Sequence, residues 1–399
     1  MHNIIIDKPY RSVPPYKGTL WADLLQPFLP IYLRRNYCIQ SVEFRGLDYL
    51  QTSLSAGHGI LLAPNHCRPC DPGVMALISR EVGRPFFYMA SWHVFMQGNF
   101  QRWLFNRAGA FSVYREGLDR EAIRTSTEIL VEARRPLVLF PEGAISRTND
   151  IVRPFMDGLS LIVHGAAKQR VKHDHPGSVV VHPVALKYLL LTDVGQSLHQ
   201  VLGEIEARLS WGPQQLPLID RIVKVGEALL ALKELEYFGC AKNGEIHSRV
   251  QALLDHLLNR LEAKWLNGNR QASFMGRVKA LRTAILKEMI AGDLPGNDVD
   301  ARWKDLADIY LAVQLSCYPP YYLRSNPTIE RLTETVERFE EDMTDKARTH
   351  GSWRVIIEIG EAIEVPPDQK QSQNGLSSHV QEKVQVMLDD LNSERRKVE

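Results

Sequence analysis

One stretch of the chain decides the fold: Ile60-Leu61-Leu62-Ala63-Pro64-Asn65-His66-Cys67-Arg68-Pro69-Cys70-Asp71. Its first four residues are an unbroken apolar run, which is typical of a strand buried on both faces of a sheet. The run gives way to a Pro- and Cys-rich turn that carries His66 and Asp71. Open α/β sheets usually carry their chemistry at the carboxyl ends of their strands. The stretch therefore predicts an α/β fold with a histidine and a carboxylate at the mouth of a buried strand.

His66 and Asp71 are the residue types of a general base and the acid that orients it. An imidazole, with an ordinary pKa of about 6.5, accepts a proton near neutral pH if an acceptor holds its other nitrogen. Asp71 supplies that acceptor if the chain turns tightly at Arg68-Pro69. A second interpretation stays open here. Asp71 precedes Pro72 and a further apolar run, so it could cap a helix while His66 only closes the strand.

Three further segments follow in order, and together with Asn65–Asp71 they resemble a known family. They are Gly109–Arg115, Phe140–Gly143 and Val179–Val184. The four match the His-x4-Asp, Gly-x5-Arg and Phe-Pro-Glu-Gly boxes, and the apolar strand ending in Pro, of the glycerophospholipid acyltransferase family. The resemblance is to the 1-acylglycerol-3-phosphate acyltransferase type and covers roughly residues 40 to 190. It implies a glycerol-3-phosphate acyltransferase-like mixed sheet flanked by helices.

The resemblance also implies a role for each matched residue. His66 would take the proton of an acceptor hydroxyl as that hydroxyl attacks an acyl thioester, and Asp71 would fix its tautomer and stabilise the imidazolium. No metal and no cofactor is implied, because acyl-CoA or an acyl-carrier-protein thioester serves as co-substrate. The implied substrate-binding residues are Arg115, Glu142, Gly143 and Arg147.

Two of these residues have a plainer interpretation that also stays open. Arg115 would grip a phosphate as a two-point fork, or it is a surface arginine in a charged segment. Glu142 would reach the polar head of the acceptor across the close turn that Gly143 permits, or it bonds the backbone of its own turn.

The chain departs from the family after the third box. Ala144-Ile145-Ser146 stands where Thr-Arg-Ser is common, so the second phosphate-binding arginine is missing in register and Arg147 substitutes by a shift. Phe155-Met156-Asp157-Gly158 carries an acid where a base is common. These departures bear on the identity of the acceptor more than on the type of reaction.

Charge is distributed unevenly along a chain of 399 residues whose net charge is only +1. Residues 1–192 carry 22 Lys and Arg against 15 Asp and Glu, and the remainder carries 26 against 32. A positive first half suits anionic lipid headgroups, phosphate acceptors and an acyl carrier. We find no basic stripe of the kind that predicts nucleic-acid binding.

The five cysteines predict a reducing compartment without structural disulfides, since their number is odd and no secretory signal is recognised. Cys67-x-x-Cys70 supports an alternative function from a different class, that of a thiol- or metal-binding protein. Small residues that fill a tight catalytic turn are the preferred interpretation, because no second Cys/His pair stands at matching spacing.

The first 36 residues predict an arm that either dips into the membrane surface or packs on the domain, and the first interpretation is preferred because a lipid acyltransferase must meet a membrane-borne substrate. No stretch reaches the ~20 apolar residues that a spanning helix needs. Pro27 and Pro30 interrupt a segment that ends in Arg34 and Arg35, which favours a short interfacial element over a long helix. We therefore expect a cytoplasmic protein held peripherally on the membrane. The apolar residues that recur at helical spacing in this arm are Trp21, Leu24, Leu25, Phe28 and Tyr32.

The remaining pattern predicts an inserted helical block. Long helical periodicity dominates residues 200–350, and a bundle burying its own apolar stripes is the default interpretation. A lid, a dimer surface and a platform for docking the acyl carrier are the alternatives. Arg354–Ile363 then resembles the Gly-Glu-Pro-Ile strand that closes the family's domain. We therefore expect the segments near 180 and 355 to be neighbours in one sheet. The predicted organisation is an arm (1–36), an α/β domain (37–199), a large all-α insertion (200–350) and a returning strand and helix (351–399).

The sequence thus predicts an O-acyltransferase that moves a fatty acyl group from acyl-CoA or acyl-carrier protein to a lysophosphatidate-like hydroxyl in phospholipid synthesis. A different lysolipid or polar-lipid hydroxyl is the nearest alternative. The thiol- or metal-binding protein and an inactive scaffold on the same fold are the alternatives from other classes.

Overall fold

The computed structural model describes residues 7–117, 119–292, 294–344, 346, 348–367 and 375–394. The chain forms two compact units, an α/β unit and a helical unit. The α/β unit comprises Arg11–Tyr114, Asp119–Thr192 and Gly351–Glu399. The helical unit comprises the described parts of Met1–Tyr10, Arg115–Leu118 and Asp193–His350. The predicted domain limits at 36, 199 and 350 stay predictions.

The α/β unit is built on one mixed sheet. In the described part of the chain its strands are β1 (Ile39–Arg45), β2 (Gly59–Pro64), β3 (Phe87–Ser91), β4 (Ala110–Val113), β5 (Leu137–Val138), β6 (Val179–Leu190), β7 (Trp353–Ile359) and β8 (Ile363–Glu364). Their order is β1-β7-β6-β2-β5-β3-β4, and β8 also pairs with β6. The pairs of β6 with β7 and with β8 are antiparallel, and the other pairs are parallel. The predicted mixed α/β sheet is confirmed.

The helices flank this sheet or build the helical unit. In chain order they are α1 (Leu20–Leu25), α2 (Leu29–Tyr37), α3 (Leu47–Ser55), α4 (Asp71–Glu81), α5 (Trp92–Phe95), α6 (Asn99–Arg107), α7 (Arg120–Glu132), α8 (Gly158–Lys172), α9 (Gly195–Arg208), α10 (Leu218–Phe238), α11 (Ile246–Trp265), α12 (Phe274–Ala291), α13 (Gly296–Leu315), α14 (Tyr322–Ser325), α15 (Ile329–Thr344) and α16 (Leu376–Leu391).

β2 lies at the centre of the sheet and is buried along its whole length, as its apolar run predicts. Leu61 and Ala63 belong to the main core of the unit, with residues of β6, α8 and α16. Covering helices explain why β2 is continuously apolar rather than alternating.

The returning chain completes the sheet. β7 pairs antiparallel with β6 in a register that runs from Val184 opposite Ile359 to Leu190 opposite Trp353. The expectation that the segments near 180 and 355 are neighbours in one sheet is confirmed. α16 then packs on β6 and contributes Val380, Val384 and Leu388 to the core.

The arm forms α1, a 3₁₀ turn over Gln26–Phe28, and α2. Pro27 and Pro30 stand in the first positions of the turn and of α2, where a missing N–H costs nothing. Leu33 of α2 is buried and packs near Gly73 of α4. Among the described residues, none of the helices has the length and apolar character to cross a membrane.

The helical unit buries its own apolar stripes. Its main cluster is formed by residues from α10 to α13, among them Leu253, Leu257, Leu281 and Ile309. The leucines recur at the three- and four-residue spacing that places them on one helix face.

Candidate active site

The site is built at the carboxyl end of β2. β2 ends at Pro64, His66 follows after one residue, and α4 begins at Asp71. Proline occupies one of the first two positions of α4, so the helix starts abruptly after the turn. The short turn brings a residue after the strand close to a residue at the helix start.

His66 and Asp71 form a hydrogen-bonded pair. The Nδ1 atom of His66 lies 2.8 Å from Oδ2 of Asp71. The Asp71 side chain is fully buried, whereas 13% of the His66 side chain is exposed. Because the carboxylate occupies Nδ1, the Nε2 atom is the nitrogen left to exchange a proton with a substrate. Asp71 does stand at a helix start, but its carboxylate also holds the imidazole.

Two further donors hold the Asp71 carboxylate. The backbone N–H of Arg68 donates to Oδ2 at 2.8 Å, and the hydroxyl of Tyr188 donates to Oδ1. Tyr188 comes from β6 and is fully buried. Donors of this kind fix the orientation of the carboxylate. Sequence reasoning missed Tyr188, and its hydroxyl was no distinctive signal, because the same strand also carries His182 and Lys187.

Two asparagine side chains bond to the backbone of β6 beyond the point where β2 ends. β2 pairs with β6 only as far as Pro64 opposite Val184. Beyond that point the Asn65 amide bonds both the N–H and the carbonyl of Leu186, at 2.7 and 3.1 Å. The Asn149 amide does the same for Tyr188, at 2.8 and 2.7 Å. The side chains thus satisfy backbone groups that lack a strand partner and hold Tyr188 in place.

Glu142 holds the backbone of His66. Its carboxylate is buried, Oε1 accepts the N–H of His66 at 2.6 Å, and Oε2 accepts the N–H of Arg153 at 3.1 Å. The loop after Glu142 is tied to the same residue, because the Ser146 N–H donates to the His66 carbonyl at 2.7 Å. These contacts give Glu142 a positioning role. Its predicted role in binding the acceptor stays a prediction.

Gly143 makes the close turn beside Glu142. Its φ is +72°, a conformation that favours glycine, and a Cβ there would lie 2.5 Å from the sulfur of Met156. Phe140, at the start of the same box, packs its ring on His66 with centroids 4.2 Å apart. The Phe-Pro-Glu-Gly box thus supports His66 in two ways. Glu142 holds the backbone of His66, and Phe140 packs against one face of its imidazole ring.

We expect Glu142→Gln to change the stability of the fold in a pH-dependent way. Burial is the main cause that raises the pKa of Glu142 from 4.5 to about 8. The folded protein therefore keeps a proton that the unfolded chain has lost, so wild-type stability falls as the pH rises through this range. Gln does not titrate, and its amide NH₂ faces a backbone donor, at a cost of about 1–3 kcal/mol. At about 1.4 kcal/mol per pKa unit the loss of wild-type stability exceeds the cost of Gln, so the advantage of wild type in unfolding free energy should shrink and then reverse as the pH rises from 4.5 to about 8.

Urea unfolding measured across that pH range tests this expectation. Glu81→Gln, which changes an exposed residue at the end of α4, is the matched control and should show no such trend. A wild-type advantage that stays constant or grows with rising pH would show that Glu142 does not titrate as a buried acid.

The two predicted arginines lie in different parts of the chain. Arg147 is half-buried in the loop next to Ser146 and has a φ of +58°. Arg115 follows β4 by two residues, is exposed, and lies in a segment assigned to the helical unit. The structure therefore joins His66, Asp71 and Glu142 through hydrogen bonds, places Gly143 in the turn beside Glu142, and leaves the phosphate-binding roles of both arginines as predictions.

Cys67 and Cys70 are both buried in the turn that carries the pair. The Cys70 sulfur lies 3.5 Å from the Tyr188 hydroxyl, and burial is the main cause that raises the pKa of Cys70 to about 12. This thiol therefore stays protonated near neutral pH, whereas nucleophilic and metal-binding cysteines act as thiolates. Over the described ranges, His, Cys, Asp and Glu nowhere form a group of three or more that could hold a metal ion.

Comparison with protein families decides what this site belongs to. Residues 41–187 match the family model Acyltransferase, and this interval contains all four sequence boxes. Residues 41–187 are a domain of the acyltransferase family. The family resemblance drawn from the boxes is confirmed for this acyltransferase domain, and acyl transfer is the activity that the family supports. Comparison with curated proteins found no match. Tyr188 lies one residue beyond the matched interval.

Proposed function

We propose that this protein transfers a fatty acyl group from acyl-CoA or acyl-carrier protein to the hydroxyl of a lysophosphatidate-like acceptor. The observation that carries the proposal is the 2.8 Å contact between His66 and Asp71 at the end of β2 in an acyltransferase-family domain. A base held by a buried carboxylate, with its second nitrogen available, suits proton removal from an alcohol.

The chemistry requires no covalent enzyme intermediate. Nε2 of His66 takes the hydroxyl proton while the acceptor oxygen attacks the thioester carbonyl carbon. The tetrahedral intermediate collapses with cleavage of the carbon–sulfur bond, and the leaving thiolate takes the proton from the imidazolium. Asp71 stabilises the imidazolium throughout, and Arg68 and Tyr188 hold Asp71. The thioester is a co-substrate, so the scheme uses no bound cofactor.

The identity of the acceptor is proposed from the charge of Arg147 and from the altered sequence after the Phe-Pro-Glu-Gly box. Arg147 places a permanent cation one residue from Ser146, whose N–H is bonded to His66, so a phosphate-bearing headgroup fits this region. Another lysolipid is the second candidate, because the common Thr-Arg-Ser is replaced by Ala144-Ile145-Ser146.

Incubation of the purified full chain with a labelled acyl thioester and a panel of lysolipids tests the proposal. The panel should include lysophosphatidate, other lysophospholipids and a phosphate-free monoacylglycerol, with acyl-CoA and acyl-carrier protein as donors. We expect the highest kcat/KM with the phosphate monoester. Transfer to none of the acceptors would refute the enzymatic proposal, and a preference for another member would replace the acceptor.

Replacing Cys67 and Cys70 together by Ser separates acyl transfer from thiol or metal chemistry. We expect acyl transfer within about threefold of wild type, because His66 and Asp71 carry the proton transfer, although buried hydroxyls should lower stability somewhat. Transfer is measured at a temperature where circular dichroism shows the double variant fully folded. Loss of transfer in a folded variant would favour the thiol or metal class.

We also propose that the arm attaches the protein peripherally to the cytoplasmic face of a membrane. Four aliphatic or phenylalanine side chains of the arm are more than half exposed, as is Tyr32, although Leu33 is buried. α6 extends this surface, since Phe100 is 71% exposed and Trp103 packs edge-on against Trp21 with centroids 4.8 Å apart. Aromatic and aliphatic side chains beside arginines suit an anionic lipid surface. The four are Leu20, Leu24, Phe28 and Ile31.

Flotation with vesicles that contain anionic lipid tests the attachment. We expect wild type to float and a Phe28→Glu/Ile31→Glu variant to lose about 90% or more of the floating fraction, because charges are costly in the interface. Val386→Glu, on an exposed face of α16, is the control and should float like wild type. Wild type that stays at the bottom of the gradient would refute the attachment.

A further inference from the structure

One tryptophan lies where the returning chain enters the sheet. Trp353 is the first residue of β7 and is 1% exposed. It stands opposite Leu190, the last residue of β6, and β6 runs past Val184, the partner of the last residue of β2. Trp353 therefore lies at the edge of the sheet where β2 ends and His66 follows. It stands outside residues 41–187, which match the family model.

The side chain of Arg68 lies on the ring of Trp353. The guanidinium carbon Cζ is 3.9 Å from the centroid of the Trp353 ring and 5.2 Å from the centroid of the Tyr188 ring. Both distances are within the roughly 6 Å over which an aromatic face attracts a cation. The backbone N–H of the same arginine donates to Oδ2 of Asp71 at 2.8 Å. The contact with Trp353 thus holds the residue whose N–H holds the carboxylate.

The ring of Tyr188 packs edge-on against the same indole. The two ring centroids are 6.5 Å apart, and the ring planes meet at 79°. Tyr188 is two residues from Leu190, the partner of Trp353, so both rings stand on one face of neighbouring strands. Burial is the main cause that raises the pKa of Tyr188 well above its ordinary value, so its hydroxyl keeps a proton to donate to Oδ1 of Asp71. Two residues that hold Asp71, Arg68 and Tyr188, therefore both contact Trp353.

The indole N–H argues against a role in packing alone. The Nε1 atom of Trp353 is buried and, among the residues that the structure describes, finds no hydrogen-bond partner. A buried donor without an acceptor destabilises a fold, and the N–H of a buried tryptophan usually has a partner. Phenylalanine or leucine would fill a core without this cost. The stacked guanidinium gives a reason for an indole here, because tryptophan attracts a cation more strongly than phenylalanine does.

We propose that Trp353 is a positioning residue for the reaction, which orients the Asp71 carboxylate by holding Arg68 and Tyr188. The proposal rests on the proposed acyl transfer. A carboxylate that tilts no longer keeps the imidazole of His66 aligned, so Nε2 is misplaced relative to the acceptor hydroxyl. Misplacement of a reacting group lowers the rate of the chemical step. Trp353 acts through other residues, so its loss should affect kcat and leave KM unchanged.

Trp353→Leu, Trp353→Phe and Arg68→Met test the proposal, with Phe86→Leu as the matched control. Phe86 is also 1% exposed, but it precedes β3, which is parallel to β5 as β5 is to β2, so it lies at the opposite edge of the sheet. Each variant is measured at a temperature where circular dichroism shows it folded. We expect Trp353→Leu and Arg68→Met to lower kcat about 10- to 100-fold and to keep KM within about threefold of wild type. Trp353→Phe should lose less, and Phe86→Leu should lower Tm while keeping the wild-type kcat.

The His66→Ala background separates positioning from a general loss of structure. If Trp353 acts through the imidazole, Trp353→Leu should lower the residual kcat of His66→Ala by less than about threefold, since residues that act as one unit are not additive. Four results would overturn the proposal. They are an equal loss in both backgrounds, an unchanged kcat in folded Arg68→Met, a loss confined to KM, and a loss of kcat in Phe86→Leu as large as in Trp353→Leu.

Amide hydrogen exchange decides if no acyl transfer is found. Mass spectrometry of peptides that cover residues 66–71 reports whether the Arg68 N–H stays bonded to Asp71, and it needs no substrate. Faster exchange in the folded Trp353 variants, with none in Phe86→Leu, would support the positioning role even though the proposed activity had failed. Exchange that is unchanged in the Trp353 variants would show that the indole does not hold the turn.

Discussion

His66→Ala should lower kcat/KM for acyl transfer by about 10²- to 10⁴-fold, the usual contribution of a positioned general base. The Nε2 atom is the nitrogen left for the substrate, because Nδ1 is bonded to Asp71 at 2.8 Å. Without the imidazole, a neutral hydroxyl must attack the thioester, or solvent must take its proton. Initial rates with labelled acyl-CoA and the best acceptor of the panel measure the loss.

The loss should be mainly in kcat, with a smaller loss of stability because buried Asp71 loses one hydrogen-bond partner and Phe140 loses its ring contact. The backbone contacts of His66 with Glu142 and Ser146 do not involve its side chain, so they remain in the Ala variant. His379→Gln, an exposed histidine on α16, is the control and should keep wild-type activity. A folded His66→Ala enzyme with a rate within threefold of wild type would remove the base from the mechanism.

Asp71→Asn should lower kcat by about 10⁴-fold, since the same exchange in a histidine–carboxylate pair selects the wrong tautomer and no longer stabilises the imidazolium. The carboxylate accepts bonds from three directions, from His66, from the Arg68 N–H and from the Tyr188 hydroxyl. An amide has one oxygen and two donors, so one of these partners loses its acceptor. We also expect a loss in stability of about 1–3 kcal/mol.

Asp48→Asn is the matched control, because Asp48 also stands in the first turn of a helix, α3, but is exposed. It should change neither rate nor stability beyond about 0.5 kcal/mol. Combining Asp71→Asn with His66→Ala should add little to the loss caused by either alone, since residues that act as one unit are not additive. Fully additive losses would show that Asp71 acts apart from His66.

The sequence by itself determined the features that depend on short, continuous stretches of the chain. The apolar run before His66 predicted the central buried strand, and the tight turn predicted the contact with Asp71 five residues on. The order of four short boxes predicted the family of residues 41–187. The apolar strand at 354–363 predicted the return of the chain to the sheet, and the pairing of β7 with β6 confirms it. The strand and the turn follow from periodicity and turn chemistry, whereas the family and the return of the chain follow from the resemblance of short motifs to the acyltransferase family.

Only the tertiary structure decided which distant groups hold the pair. Tyr188 reaches Asp71 across 117 positions, and Glu142 reaches the His66 N–H across 76. Both contacts depend on where β2 stops along β6 and on the loop that Asn149 ties to the strand. Strand register sets which side chain of β6 faces the site, and one residue of slip would turn Tyr188 to the other face. That register cannot be predicted from composition or residue spacing, because the packing of the whole sheet determines it.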